Sequence, residues 1–193
     1  MKFEYIKKKL INLRSKVEID NSIGHFDINK EVEDVYLHLL NNIYGWNLKN
    51  ANLLKENFPA IDLIDDTEKI VIQVTSTTDT TKLGGTIEKF KKLKEYSYGY
   101  KLKMFYIKDI PNFQKKSLDE FKKDSIEKKD LLGIKNILSM VQSDIDICEK
   151  VYETLKKLSI DDSSKNQIII NVNGDVKGVV NAESGSVINQ TIS

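Results

Sequence analysis

Asp62, Gln73 and Thr75 are the residues whose types and spacing best suit chemistry in this chain. The run NFPAIDLIDDTEKIVIQVTS, from Asn57 to Ser76, reads as a short strand carrying Asp62, then a tight turn through Asp65, Asp66 and Thr67. A buried strand carrying Gln73 and Thr75 follows. Side chains alternate between the faces of a strand, so Asp62 points away from Ile61 and Leu63. By the same rule Gln73 and Thr75 share the face opposite Ile72 and Val74. A carboxylate on one strand, with a polar pair on its hairpin partner, can hold a divalent cation over the sheet. Such an ion polarises a phosphate and activates water, while a nearby ammonium steadies the negative charge that grows as a phosphodiester is cut. A second reading makes Asp62 a turn-entry residue that caps Asp65–Thr67. For Gln73 a purely structural reading is weaker, because a buried amide carries four hydrogen-bonding positions that must be met and nothing in apolar packing favours it.

Magnesium keeps several waters and takes only one or two protein carboxylates, so Asp62 needs one acidic partner. That partner is expected on a helix starting near Asp27 or Asn29, whose Val32, Val35, Tyr36, Leu39, Leu40 and Ile43 form one stripe ended by Gly45. At 100° per residue, Glu33 falls about 20° from Leu40 on the edge of the stripe, while Glu31 and Asp34 fall farther outside. Taken alone, Glu33 is an ordinary helix-edge acid. With Asp62 it completes a pair able to bind Mg2+ or Mn2+, and the carbonyl of Val74 could close the shell. Lys82, at the start of a later helix, is the candidate phosphate-steadying cation, helped by a helix N-terminus that itself favours anions.

The elements that must position these groups alternate in type. Residues 2 to 19 read as a helix with Phe3, Ile6, Leu10, Leu13 and Val17 inward. Trp46 to Leu54 is a weak strand or loop, and Ala60–Ile64 and Lys69–Ser76 form the hairpin. KIVIQVTS is apolar on both faces, which marks a central strand. A helix is expected from Lys82 to Ser97 with Leu83, Ile87, Phe90 and Leu93 inward. A strand at Lys101–Asp109 is stopped by Pro111, and helices are expected at 112–124, 130–142 and 144–158. This order predicts an α/β or α+β protein with a small mixed sheet.

Composition narrows the class further. The chain has 193 residues, of which 40% are apolar and 31% charged, as in ordinary soluble globular proteins. No apolar run approaches the ~20 residues that span a bilayer, and the N-terminus lacks the apolar core of a signal peptide. Cytoplasm is therefore the expected location. One cysteine, Cys148, and two histidines, His25 and His38, exclude an internal disulfide and a Cys- or His-based metal cage. The net charge of +1 conceals an excess of six between Lys82 and Asp130, where 14 lysines meet 8 acids. Such a segment suits a polyanion such as DNA, or simply a solvated helical surface. From Asn166 to Ser193 the composition changes: few charges, short apolar pieces, and Asn-Gly and Ser-Gly turn signals. Isolated hairpins are marginal in water, so this β-rich tail is expected to pack on the main domain or pair with copies in a homo-oligomer. The expected division is a domain at 1–160 and a tail at 166–193.

Taken together, Glu33 on a helix, AIDL around Asp62 and the strand IVIQVT resemble the PD-(D/E)xK, or restriction-endonuclease-like, nucleases, in particular the Mrr-like branch with its Gln-x-Lys strand. DINKEVEDVYLHLLNNIYGWNLKNAN, NFPAIDLIDD, IVIQVTST and KLGGTIEKF are similar to the SMEK domain of bacterial conflict and antiphage-defence proteins, over about residues 3 to 125. The resemblance implies a central mixed sheet flanked by helices, with Glu33, Asp62 and Gln73 as active-site acids and amide, and with magnesium and DNA bound. It implies a metal-dependent nuclease acting in defence, with a defence-system protein as an expected partner. Two departures stand out. Thr75 occupies the place of the nuclease lysine, and Pro59 is separated from Asp62. Lys69 lies six residues from Thr75, roughly 20 Å along a strand, too far to substitute. The alternatives are a nuclease-fold module without catalysis that binds nucleic acid or a partner as sensor or adaptor, and an assembly subunit.

Overall fold

The computed structural model describes residues 1–54 and 58–158. Five strands form one mixed sheet in sequential order: β1 (Lys49–Asn50), β2 (Leu63–Asp65), β3 (Ile70–Thr75), β4 (Lys101–Tyr106) and β5 (Leu131–Gly133). β1, β2 and β3 are antiparallel neighbours, and β3, β4 and β5 run parallel. Parallel neighbours need a crossover. The first is made by α3 (Thr81–Lys92) and α4 (Lys94–Ser97), the second by α5 (Lys115–Lys122). The remaining helices are α1 (Lys2–Ser22), α2 (Ile28–Tyr44), α6 (Ile134–Ser143) and α7 (Ile145–Lys157).

Alternation along β3 explains the layering. Ile70, Ile72 and Val74 face one core cluster with the inward residues of α1, α2, α6 and α7. Val71 faces the other, with Leu83, Ile87 and Phe90 of α3 and with Leu102, Met104 and Tyr106 of β4. Helices therefore cover both faces, and β3 is buried except at Gln73. Within this architecture α2 is fixed by the predicted stripe: Val32, Val35, Tyr36, Leu39, Leu40 and Ile43 are all buried. Gly45 ends it at φ 69°, a left-handed conformation suited to glycine.

Two expectations need correction. The segment 130–142 is not one helix, because Leu131–Gly133 forms β5 beside β4 before α6 begins. Three residues are too few to show a period of two, and their apolar character fits either state. The helix expected at 82–97 breaks at Leu93, where ψ is 72°, leaving α3 and the single turn α4. The chain divides into a unit Met1–Ile160 and a unit Asp161–Ser193. The predicted tail at 166–193 lies outside the described residues.

Candidate active site

Asp62 sits immediately before β2, and its main chain is held on both sides. Its N–H donates to the Ile72 carbonyl at 2.9 Å, and its own carbonyl accepts the Ala51 N–H at 2.8 Å. Register carries Leu63 opposite Ile72, so Asp62 continues the ladder opposite Gln73. The carboxylate oxygen Oδ2 then accepts from the Val74 N–H at 2.7 Å and from the Gln73 side-chain amide. Asp62 therefore lies across the hairpin from Gln73 and does not cap the turn. That task falls to buried Asp65, whose carboxylate accepts from the N–H groups of Asn47 at 2.7 Å, Thr67 at 2.8 Å and Glu68 at 3.1 Å.

Glu33 reaches the same region from α2. It is half-buried, and its Oε2 is a buried oxygen with no hydrogen-bond partner among the described residues. Burial, reinforced by the charge of Asp62, pushes its carboxyl up to about 7, while Lys30 pulls the other way. Burial likewise pushes the Asp62 carboxyl up to about 6, against the Val74 N–H, the charge of Lys82 and the Gln73 amide. These couplings bring Glu33, Asp62, Gln73 and Lys82 into one electrostatic neighbourhood where β3 runs out and α3 begins. Glu33 comes from the α2 layer and feels the charge of Asp62, while Gln73 comes from β3 and bonds Asp62 directly.

Val74 contributes twice. Its N–H fixes Asp62, and its carbonyl accepts the Gln73 amide at 3.2 Å. Thr75 is buried and its hydroxyl accepts the Thr77 N–H at 3.1 Å, so it shapes the turn out of β3. Lys69 belongs to the other end of the strand, with Nζ 3.3 Å from the Tyr100 hydroxyl and 4.8 Å from that ring.

Two supporting features escaped the sequence reading. Lys30, three residues before Glu33 and therefore on the same side of the helix, is a second cation, whose charge reaches Glu33. Its spacing was the available signal. The other is a polar clasp: Asn21 donates to the Ser76 hydroxyl at 3.1 Å and exchanges hydrogen bonds with Asn29, one turn ahead of Glu33. It ties the segment leading to Lys82 to α1 and α2, and isolated asparagines give no pattern by which to foresee it.

Among the described residues, no group of three or more His, Cys, Asp or Glu side chains is placed to hold a metal. The donor set here is smaller and all oxygen: two poorly solvated carboxylates, one with an unpartnered oxygen, beside a carboxamide and a strand carbonyl. That set fits a hard divalent cation that keeps most of its waters.

Residues 5–142 match the SMEK domain family. The chain belongs to the SMEK-domain family. All four converging side chains fall within the matched stretch of this SMEK domain. No curated protein matches it, and no solved structure matches it. Among its described residues, no helix is long and apolar enough to cross a membrane.

Proposed function

We propose that this SMEK-domain protein is a metal-dependent nuclease that hydrolyses DNA phosphodiester bonds in bacterial antiphage defence. The observation that carries this reading is the electrostatic coupling of Glu33 to Asp62, distant in sequence, with Asp62 itself bonded to Gln73 and within the field of Lys82. Two acids that burial makes reluctant to ionise are the groups a divalent cation would stabilise most. The strand order also supports a restriction-endonuclease-like fold: a three-stranded meander followed by a helical crossover to a parallel strand.

Asp62 and Glu33 would hold Mg2+ or Mn2+ through carboxylate oxygens, with the Val74 carbonyl and water filling the remaining positions. Bound there, the ion would supply Lewis acidity toward the phosphate and an acidified water. Asp62 is locked in orientation by the Val74 N–H, which limits the reorganisation needed when charge develops. Lys82, in the first turn of α3, would steady the phosphate in the role that Thr75 has given up to the turn. Lys89, Lys92 and Lys94 extend exposed positive charge along α3 and α4. We place the protein in the cytoplasm, as a homo-oligomer through residues 166–193, working beside a defence-system partner.

The fate of Thr75 favours a second reading, a nuclease-fold module without catalysis that binds nucleic acid or a partner as sensor or adaptor. One experiment separates the two. Plasmid is incubated with the wild type and Asp62→Ala in magnesium or manganese, and DNA binding is measured in parallel. The nuclease reading requires cutting by the wild type and at least a hundredfold loss in the variant. Binding without cutting by the wild type overturns it in favour of the second.

A further inference from the structure

Gln73 is half-buried on an otherwise buried strand, and its carboxamide is held by two acceptors at once. Nε2 donates to Asp62 Oδ2 and to the Val74 carbonyl oxygen, the latter at 3.2 Å. Turned by half a rotation about its last torsion, the amide would set Oε1 against those same two oxygens, lone pair against lone pair. The network therefore fixes the nitrogen inward. A cation lying against Asp62 and Val74 would reverse that preference. It repels an NH2 group and attracts an amide oxygen. The final torsion of glutamine is broad and roughly two-fold, so the exchange needs no movement of the strand.

We propose that the Gln73 carboxamide is a two-position group: its nitrogen bridges Asp62 and the Val74 carbonyl, and it turns to present its oxygen when a divalent cation binds. This inference rests on the metal-dependent reading above. Gln73 then sets the affinity of the site as well as its geometry. Binding must first break two hydrogen bonds, and the ligand offered in exchange is neutral. Glu33 and Asp62 alone balance the ion's two charges, and the site selects ions that accept a neutral oxygen donor.

The test is a magnesium titration of the full chain by calorimetry, with the Gln73 side-chain NH2 signals followed by 1H–15N NMR. Without added magnesium, those protons are expected to exchange slowly with water. Saturating magnesium should shift them and speed their exchange. The isosteric Gln73→Met, which removes donor and acceptor together, should bind magnesium roughly tenfold more weakly, and Gln73→Glu roughly tenfold more tightly. Suppose magnesium binds the wild type but not Asp62→Ala, and the Gln73 signals stay unchanged. The two-position role is then overturned while the metal site stands. Tighter binding by Gln73→Met also overturns it, since the amide would then be only a competitor of the ion. If the wild type binds no magnesium, this inference and the metal-dependent reading fall together.

Discussion

The carboxyl of Glu33 shows how position changes the chemistry of one residue. On the surface it would be an ordinary acid, but beside Asp62, with a buried oxygen lacking a partner, it holds its proton up to about 7. A raised carboxyl means that the folded chain binds more protons than the unfolded chain. Its stabilising contribution is therefore complete below the unfolded value of 4.5 and is lost as pH rises through about 7. Asp62 adds the same sign over its own interval, from 3.8 to about 6. Glu33→Gln removes the first of these contributions. Urea unfolding at about pH 8 should show the variant more stable by roughly 1–3 kcal/mol, with the gain vanishing near pH 4. An equal gain at both pH values would place its origin outside the carboxyl.

At the scale of the element, the β2–β3 hairpin presents the site because Asp65 holds its turn. Burial works against the charge of Asp65, but the backbone N–H groups of Asn47, Glu68 and Thr67 outweigh it and keep the carboxyl below its usual range. One side chain thus ties the turn to the segment entering β1. Asp65→Ala would leave these donors without their acceptor. We expect a loss of roughly 2–4 kcal/mol in thermal or denaturant unfolding. Asp65→Asn should recover part of it, because its single carbonyl oxygen still accepts. The neighbouring Ala60 adopts φ 62°, a left-handed conformation that costs a non-glycine residue about 1 kcal/mol. It lies between Pro59 and Asp62, where the strand approaches its ladder.

At the scale of the whole molecule, surface charge decides where a polyanion could lie. α3, α4 and α5 carry exposed lysines, of which Lys91 pairs with Asp124 and Lys122 with Asp119. Lys101 and Lys103 converge on buried Asp130, a structural use of charge at the other end of β4. If DNA lies across α3, the combined variant Lys82→Ala, Lys89→Ala and Lys92→Ala should weaken binding of every sequence alike. The slope of log affinity against log salt should fall by about 0.9 for each lysine that met a phosphate. Fluorescence anisotropy at several salt concentrations measures both. An unchanged slope would move the nucleic-acid surface elsewhere.

Much of this was legible in linear order. The apolar stripe of α2, Gly45 at its end and the doubly apolar β3 follow from periodicity and burial, which are local properties. Gln73 stood out because a polar group placed in an apolar strand needs a reason, Asp62 by its place on the paired strand, Glu33 by its angle to the α2 stripe, and Lys82 by its place at a helix start. β5 was hidden because three apolar residues carry no period, and the break at Leu93 because the inward pattern continues through it. Only the tertiary structure decided that Thr75 serves a turn, that Asp65 rather than Asp62 is the cap, and that the Gln73 nitrogen bridges Asp62 and Val74. Sequence determines which side chains an element offers. Which of them share a patch of low dielectric depends on how layers stack at the end of β3, and that is settled by packing among residues far apart in the chain.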